Sequence, residues 1–533
     1  MDETRLWWRD GVIYQIYPRS FADSNQDGIG DLNGITGRLD YLAMLGVDAI
    51  WLSPIYPSPD VDFGYDVSDY TGIDRRYGTL EDFDRLVQQA HQRGIHIMMD
   101  LVLNHSSDQH PWFQQSLASR ENPYHSWYLW QDARPGGGPP NNWQSIFGGR
   151  AWEYDPALGQ YYYHMFCKQQ PDLNWRNPDV RRELLNVFRF WAERGVDGFR
   201  LDTFNLYFKD ARLRNNPPRL GLRGYDRQRH VYDYDQPEMI PLLEEIRQVL
   251  DAYPERYAVG ETFESNAEKA ACYSAPGRLH AAFNFEFLFC PWRPRRFLEA
   301  IQRWENALAP EAWPTYVLNN HDNSRSATRY GRGENDERLK VAAALLLTQR
   351  GTPYLYYGEE IGLRDIPVRR AEIQDPIGRR YWPFYKGRDG CRGPMQWDDS
   401  PYAGFSRVQP WLPLHPDYVG RNVVAQMEDE DSLFHFYREL IRLRRELPAL
   451  RQGLFQPLTF EPRVVLAYLR QTSDQAVLVA LNFSRRPVRL FLSRMLSSGH
   501  WRLLLSNRRQ ELAEPTGTGL LLQPEEACLL LQE

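Results

Sequence analysis

The sequence predicts an α/β protein whose core is a (β/α)8 barrel, with a subdomain inserted after the third strand and an antiparallel β domain at the C-terminal end. Eight short apolar segments alternate with amphipathic segments between residues 11 and 360, and repeated strand–helix units of this kind imply a parallel sheet. Eight units favour a closed barrel over an open sheet. A long aromatic segment, 105–174, interrupts the alternation after the third strand, and from about residue 453 only short strands follow.

The eight strand candidates are short apolar runs, several of which end in polar residues. They are GVIYQIYP (11–18), DAIWLSP (48–54), IHIMMDLVLNH (95–105), VDGFRLD (196–202), RYAVGE (256–261), AAFNFEF (281–287), TYVLNNHD (315–322) and TPYLYYGEE (352–360). The polar residues at their carboxyl ends are Asn104, His105, Asp202, Glu261, His321 and Asp322. In barrels of this kind that rim carries the chemistry, so we expect the functional site there.

The helical segments between the strands are recognised by apolar residues that recur every three to four positions. One example is DLNGITGRLDYLAMLG (31–46), which is predicted to be a single helix. Thr79 followed by Asp82 resembles a capping box at the start of the next helix. The remaining predicted helices, together with that one, are 79–94, 177–195, 237–250 and 337–351.

Three domains are expected from these patterns. The barrel would comprise residues 1–104 and 175–452, and the inserted subdomain residues 105–174, which contain the helix-breaking run PGGGPP. Residues 453–533 would form a β-sandwich-like domain. Its strand candidates are VVLAYLR, AVLVALNF, PVRLFL, WRLLL and ACLLLQ.

Composition excludes several classes of function. Hydrophobic residues make up 42% and aromatic residues 14% of the 533 residues, so the chain can bury a large core and disorder is not expected. The formal net charge is −7 and no basic block stands out, which argues against a nucleic-acid partner. No stretch approaches the ~18 apolar residues of a membrane span, and the N-terminal segment lacks the pattern of a signal peptide. We therefore expect a cytoplasmic monomer or homodimer without a membrane partner.

Cysteines and aromatic residues give weaker indications. The five cysteines are scattered, odd in number and without metal-binding spacing, which predicts free buried thiols in a reducing compartment. The 17 Trp and 31 Tyr are explained either by core packing or by a site for flat apolar faces such as those of sugars. Composition alone does not choose between these two explanations.

Three carboxyl groups at one rim point more clearly to chemistry, because folding alone gives little reason to place like charges together. Cleavage of an acetal needs two carboxyl groups in different protonation states. Arg200 lies two residues before Asp202 on the same strand face and can keep that carboxylate ionised, as a nucleophile requires. Glu261 has no basic neighbour in the sequence, which favours a raised pKa and an acid/base role. Asp322 could hold the hydroxyl groups of the distorted sugar.

A series of motifs resembles the α-amylase clan of glycoside hydrolases, in its α-glucosidase and oligo-1,6-glucosidase branch. The matching stretches are DSNQDGIGD (23–31), FGYDVSDY (63–70), DLVLNHSSDQHPWF (100–113), QPDLNW (170–175), GFRLDT (198–203), VGET (259–262), NNHDNSR (319–325) and RGPMQWD (392–398). QPDLN marks this branch rather than true amylases. The resemblance implies a retaining mechanism in which Asp202 is the nucleophile, Glu261 the general acid/base and Asp322 the stabiliser of the transition state.

The resemblance also implies which residues surround the substrate, a small α-glucoside bound without an organic cofactor. The residues expected to shape the pocket for the terminal glucose are Asp62, Tyr65, His105, Arg200, His321 and Arg392. Phe147 and Phe166 are expected to wall the pocket, although buried packing would explain these two rings equally well.

Linkage preference is read from the residue after the nucleophile. In this branch it tends to be valine in α-1,6-cleaving enzymes and alanine or threonine in α-1,4-cleaving ones, and here it is Thr203. The resemblance is therefore strongest to bacterial α-glucosidases that release glucose from the non-reducing end of short α-1,4 substrates such as maltose, with transglucosylation as a side activity. Phe204 and Gly393 stand where the subgroup commonly has valine and threonine, and both are expected to border the pocket.

Other functions on the same scaffold compete with this interpretation. A glucosyltransferase or isomerase, such as a trehalose synthase or a sucrose-acting enzyme, would use the same glucosyl intermediate, and an oligo-1,6-glucosidase would differ only in linkage. An ancillary subunit of an amino-acid transporter would need an N-terminal membrane span and could lack the catalytic carboxylates. All three carboxylates are present here.

The stretch DSNQDGIGD predicts a structural metal site. Asp23, Asn25, Asp27 and Asp31 fall on alternate positions around a turn-forming glycine, which resembles the first part of an EF-hand loop. The twelfth position is glycine rather than glutamate, and a strand and a helix flank the loop, so a calcium sensor is not expected. We expect Ca²⁺ with Mg²⁺ as the alternative, bound by these four side chains and the Ile29 carbonyl.

Overall fold

The computed structural model describes residues 5–263, 266–331, 333, 335–459, 463–491, 500–511 and 519–533. Eight parallel strands, numbered here β1 to β8, form a nearly closed barrel, as the sequence predicts. They are β1 Ile13–Ile16, β2 Ala49–Leu52, β3 His96–Leu101, β4 Gly198–Leu201, β5 Tyr257–Glu261, β6 Ala281–Phe283, β7 Thr315–Val317 and β8 Thr352–Tyr356. Each lies within a predicted segment but is shorter, because the polar rim residues continue as loops.

The strands pair in the order β7-β8-β1-β2-β3-β4-β5-β6. Among the described residues, no backbone ladder joins β6 to β7. At this junction the hydroxyl group of Thr315 donates a hydrogen bond to the Ala282 carbonyl, 2.9 Å away. A side chain thus links the two strands where the sheet ladder ends.

The strands alternate between two hydrophobic cores, because successive side chains of a strand point to opposite faces. Inside the barrel, Ile13, Trp51, Met98 and Val259 belong to one buried cluster. Outward-facing neighbours such as Tyr14 pack under the helices in a second, larger cluster. The position two residues further along a strand therefore points into the barrel again, closer to the carboxyl rim.

Helices cover the outside of the barrel. The longer ones are Leu80–Gln92, Pro178–Glu193, Met239–Asp251, Pro294–Ala307, Glu337–Leu347 and Leu433–Glu446, and shorter ones are Trp7–Asp10, Leu32–Thr36, Leu39–Leu45, Pro111–Ser116, Ala267–Tyr273, Ser326–Tyr330, Pro376–Tyr381, Val423–Glu428 and Pro448–Arg451. Thr79 and Asp82 form the predicted capping box. The single helix predicted over 31–46 is wrong: the chain leaves helical geometry at Arg38, directly after Gly37, a residue with low helix propensity.

The segment inserted after β3 contains a three-stranded antiparallel sheet of Trp130–Asp132, Trp152–Asp155 and Gln160–Tyr163. Its aromatic side chains form a buried cluster with side chains from two other loops. Trp143 and Tyr163 of the insertion pack together with Leu206 and Tyr225 from the loop after β4 and with Ile377 from the loop after β8. One apolar core therefore holds three loops in fixed positions above the barrel rim.

The C-terminal residues form antiparallel sheets. The strands are Leu454–Pro457, Val465–Gln471, Ala476–Asn482, Trp501–Ser506 and Ala527–Gln532 in one sheet and Val488–Leu490 with Leu520–Leu522 in another. The predicted strand PVRLFL includes Leu492, which lies outside the described residues. Among the described residues, no helix is long and apolar enough to cross a membrane. All five cysteines are free, as predicted, but Cys272 is exposed and Cys167 is only half-buried.

Candidate active site

The three predicted carboxylates meet at one cavity of about 330 Å³ at the carboxyl ends of the strands. Asp202 directly follows β4, Glu261 is the last residue of β5, and Asp322 lies in the loop after β7. The cavity is lined by these three residues and by Asp62, Tyr65, His105, Ile146, Phe147, Phe166, Thr203, Thr262, Phe263, Phe285, Phe289, Asn323, Tyr385 and Arg388. Parallel strands in one barrel bring their carboxyl ends to the same rim, which is why residues 120 positions apart in the chain become neighbours.

Arg200 lies beneath the cavity and connects the carboxyl groups. Its guanidinium group donates to Asp100 Oδ1 at 2.6 Å and to Asp202 Oδ1 at 2.8 Å, and it also contacts Glu261 Oε2. Asp100 and Arg200 are register partners on β3 and β4. Among the described residues of this rim, Arg200 is therefore shared by three carboxyl groups, and it fixes their side chains relative to one another.

Glu261 is the carboxyl group best suited to carry a proton. Burial raises its pKa to about 8, against the opposing attraction of Arg200 and with the support of nearby Asp202 and Asp322. The absence of a basic neighbour in the sequence was not a guide to its surroundings, because Arg200 contacts it in space. The predicted direction of the shift nevertheless agrees with the structure, since burial outweighs the single shared guanidinium group.

Asp322 has the opposite character. Burial alone would raise its pKa, but the positive charge that His321 carries at acid pH and the charges of Arg388 and Arg392 lower it below the ordinary value. Burial lowers the pKa of His321 to about 3, so the imidazole is uncharged at neutral pH and the guanidinium groups supply the positive charge. Arg392 donates to Asp322 Oδ1 at 2.8 Å and Arg388 to the same oxygen at 3.4 Å. Asp322 is therefore held ionised next to a protonated Glu261.

A buried ion pair forms part of the cavity wall. Arg388, from the loop after β8, donates to Asp62 Oδ1 at 2.6 Å, and Asp62 lies in the loop after β2. The Arg388 guanidinium group also lies 5.4 Å from the ring centroid of Phe147. Phe147 and Phe166 make an edge-to-face contact at 5.6 Å, and Phe166 in turn contacts His105. Both predicted phenylalanines therefore line the cavity as well as packing against each other.

Of the remaining predicted pocket residues, Tyr65 and His105 line the cavity, and the others lie behind the lining. Tyr65 stacks on His321 with ring centroids 5.4 Å apart, and its hydroxyl group donates to Asp100 Oδ2 at 3.1 Å. His105 is buried next to the Tyr65 backbone carbonyl, 2.9 Å from its Nε2. Arg200, His321 and Arg392 support lining residues, and the cavity lining does not include them.

Thr203 occupies a left-handed backbone conformation, with φ of 34°, which is uncommon for a β-branched residue. Its hydroxyl group donates to Asp202 Oδ2 at 3.1 Å, and its backbone N–H lies 3.4 Å from Glu261 Oε2. The turn places Thr203 between the two carboxyl groups, where its side chain lines the cavity and can contact a bound substrate.

Sequence reasoning missed several residues of the site, both in the cavity lining and beneath it. Asp100 could have been found, because it lies two positions beyond the inward-facing Met98 and therefore points into the barrel. Arg388 comes from an irregular loop in which no periodicity marks it. The missed lining residues are Ile146, Thr262, Phe263, Phe285, Phe289, Asn323, Tyr385 and Arg388.

Two residues expected to border the pocket do not do so. Phe204 is fully buried and packs edge-to-face against Tyr273, 4.9 Å away. Its ring fills the space next to Gly260, where an added Cβ atom would overlap it. Gly393 lies against Ile366 in the same way, and the Ile366 side chain occupies the space that the threonine of the subgroup would need. Both departures adjust packing beneath the site rather than the cavity surface.

The acidic loop 23–31 satisfies much of its own hydrogen bonding. Asp23 accepts from the backbone N–H groups of residues 25, 26 and 28 and from the Ser406 hydroxyl, and Asp31 caps the following helix. Asn25 and Asp27 each accept from the N–H group two residues ahead. The donor set is all oxygen, as Ca²⁺ and Mg²⁺ prefer. However, no three acidic, His or Cys side chains converge on a point in the part of the chain described. A cation would require Asp23 or Asp31 to exchange hydrogen-bond donors, and the metal site remains a prediction.

Comparison with known proteins agrees with this architecture. Residues 15–453 match the family model of the α-amylase catalytic domain, and residues 455–527 match that of the maltogenic amylase C-terminal domain. The chain is 46% identical to a probable α-glucosidase of Rhizobium meliloti (strain 1021), over 91% of this chain and 90% of that protein. It is 41% identical to an oligo-1,6-glucosidase of Parageobacillus thermoglucosidasius, over 90% and 91% of the two chains.

Among solved structures, the α-glucosyl transfer enzyme XgtA superposes with a TM-score of 0.93 at 43% identity, over 99% of this chain and 100% of that one. The resemblance inferred from the motifs is confirmed, and so is the barrel with its C-terminal β domain. The chain therefore belongs to the α-amylase family of glycoside hydrolases, alongside relatives named α-glucosidase and oligo-1,6-glucosidase.

Proposed function

We propose that this protein is a retaining, exo-acting α-glucosidase that releases α-glucose from short α-1,4-linked substrates such as maltose, with transglucosylation as a side activity. The observation that carries the proposal is the set of three carboxyl groups in unlike environments around one small cavity. Acetal cleavage with retention uses one carboxyl group to form a glycosyl–enzyme bond and another first to donate and then to accept a proton.

In this mechanism Asp202 is the nucleophile, Glu261 the acid/base and Asp322 the stabiliser of the transition state. Arg200 orients the Asp202 carboxylate, which would attack the anomeric carbon as Glu261 protonates the departing oxygen. Water would then attack the anomeric carbon and displace Asp202 from it, while Glu261, now ionised, removes a proton from that water and so regains its acid form. Asp322, kept ionised by Arg388 and Arg392, would bind hydroxyl groups of the distorted ring and offset its developing positive charge.

The preference for short substrates rests on the shape of the cavity. At about 330 Å³ it is at the small end of the range of ligand sites, roughly 300–1,000 Å³. The buried Asp62–Arg388 ion pair forms part of its wall, and we expect a chain to enter this small cavity by its terminal sugar. The α-1,4 preference rests on Thr203, by the resemblance of GFRLDT to the α-1,4-cleaving subgroup.

Two alternative activities have specific support. A glucosyltransferase or isomerase is favoured by the likeness to an α-glucosyl transfer enzyme, because such an enzyme differs only in whether water or a sugar attacks the glucosyl intermediate. An oligo-1,6-glucosidase is favoured by the name of a relative that covers most of the chain. Neither alternative changes the assigned roles of the three carboxylates.

The proposal is tested by initial rates on maltose, isomaltose, sucrose, trehalose and longer maltooligosaccharides, with the products of each reaction identified. We expect maltose to be cleaved with a much higher kcat/KM than isomaltose, and the rate to fall as the chains lengthen. Asp202→Ala is the control and should be inactive on every substrate. Full activity of this variant would overturn the mechanism, and isomerised sucrose as the main product would establish the isomerase alternative instead.

A further inference from the structure

Gln15 is a buried polar residue beneath the cavity to which the mechanism above gives no role. It follows the inward-facing Ile13 by two positions on β1, so its side chain points into the barrel just below the rim. Its amide nitrogen lies 2.7 Å from His321 Nδ1 and 3.2 Å from the Ser53 hydroxyl. The Gln15 side chain is thus placed against the ring nitrogen of His321 that faces away from Asp322.

The surroundings of the other ring nitrogen decide where the imidazole carries its proton. His321 Nε2 lies 2.6 Å from the Tyr65 hydroxyl oxygen and 3.3 Å from Asp322 Oδ2. An ionised carboxylate at this distance repels the lone pair of an unprotonated nitrogen and attracts an N–H group, so Asp322 favours a proton on Nε2. Tyr65 can accept from the same N–H group because its own hydroxyl hydrogen goes to Asp100.

A neutral imidazole has only one N–H group, so Nδ1 must then accept a hydrogen bond. Positive charge and burial disfavour a second proton, because the cations of Arg200, Arg388 and Arg392 act on this ring and only Asp322 opposes them. The remaining faces of the imidazole are covered by the rings of Tyr17, Tyr65 and Trp51. The amide N–H group of Gln15 is the donor that Nδ1 needs.

We propose that Gln15 is a positioning residue that fixes the tautomer of His321, keeping the single N–H group on Nε2, where it faces Tyr65 and Asp322 behind the cavity lining. In this form the imidazole directs an N–H group rather than a lone pair at these two lining residues. The inference rests on the proposed glucosidase function, because the consequence for catalysis is the placement of the carboxylate that stabilises the transition state.

The matched pair of variants is Gln15→Leu and Gln15→Glu, assayed with maltose over a range of pH. Gln15→Leu leaves Nδ1 without a donor, and we expect kcat/KM to fall by about 10-fold or more at every pH. In Gln15→Glu a proton shared between the new carboxyl group and Nδ1 restores the contact at low pH and is lost as pH rises. The activity of Gln15→Glu relative to wild type should therefore decrease with increasing pH.

Gln349→Glu is the control for burying a carboxyl group elsewhere. Gln349 is equally buried, its amide group donates to the Leu345 carbonyl and the Tyr468 hydroxyl, and it does not line the cavity. We expect this variant to lose thermal stability but to keep the wild-type pH profile. A constant activity ratio between Gln15→Glu and wild type across the pH range would overturn the proposal.

A second measurement requires neither a folded Gln15 variant nor an activity assay. In wild-type protein labelled with 15N-histidine, the His321 signals are assigned by their loss in His321→Gln, and we expect an unprotonated Nδ1 and a protonated Nε2. A proton on Nδ1 would refute the tautomer assignment even if the enzyme cleaves maltose. Failure of wild type to cleave any glucoside would instead refute the proposed function and leave the tautomer measurement valid.

Discussion

The raised pKa of Glu261 leads to a prediction about how the reaction depends on pH. An ordinary glutamate, with a pKa of 4.5, would be only about 0.3% protonated at pH 7, whereas a pKa of about 8 leaves about 90% in the acid form. We expect kcat/KM for maltose to be flat through neutral pH and to fall about tenfold per unit above roughly pH 8, as the proton donor is lost. This alkaline limb is expected because the Glu261 carboxyl group is the acid that protonates the oxygen of the departing sugar.

Glu261→Gln removes the proton while keeping nearly the same shape. General acid catalysis is worth about 10²–10⁴ in rate, so kcat/KM for maltose should fall by that factor and lose its alkaline limb. α-Glucosyl fluoride is the informative second substrate, because fluoride departs without protonation and should be affected much less. Equal losses on maltose and α-glucosyl fluoride, or an alkaline limb that persists in Glu261→Gln, would refute the assignment of Glu261 as the acid.

Four further predictions concern linkage, metal binding, packing and stability. Thr203→Val should raise the isomaltose-to-maltose ratio of kcat/KM by about tenfold, and an unchanged ratio would remove the linkage argument. If the loop 23–31 holds Ca²⁺, a chelator should lower Tm by about 2–4 °C, reversed by added Ca²⁺ but not by Na⁺; no shift would contradict the metal prediction. Gly260→Ala should lower the free energy of unfolding by about 1–3 kcal/mol in urea denaturation, because the new methyl group meets the Phe204 ring. Adding Phe204→Leu to this variant should recover part of that loss. Burial raises the pKa of Glu359 to about 7, so the stability gained from its bound proton is complete below about pH 4.5 and is lost as pH rises towards 7. Glu359→Gln should therefore flatten the decrease of Tm with pH over this range. An unaltered decrease would place its origin in another group.

The regular parts of the fold could be read from the sequence because strand and helix periodicity are local properties. Each of the eight strands lies inside its predicted segment, and barrel topology then places Asp202, Glu261 and Asp322 at one rim without further information. The same periodicity, applied two residues beyond the apolar positions of β1 and β3, would also have found Gln15 and Asp100.

The rest of the site depends on contacts between segments far apart in the chain. Arg388 reaches the cavity because an ion pair with Asp62 holds its irregular loop in place, 326 residues away in sequence. Phe204 looks like a pocket residue from its position after Thr203, but the left-handed turn at Thr203 sends its side chain beneath the strands. Neither effect leaves a local pattern, so neither could be predicted from one sequence.

The buried and exposed parts of the cavity wall differ in how freely they can change during evolution. The buried part contains the Asp62–Arg388 ion pair, in which loss of Arg388 would leave buried carboxylates unpaired, and it rests on an aromatic core shared by three loops. The exposed part includes Phe289 and Tyr385, which are 63% and 43% exposed and can be replaced with little effect on folding. Lineages with this architecture should therefore keep the sugar they recognise while readily exchanging the molecule attached to it, and natural diversity should collect at the outer rim.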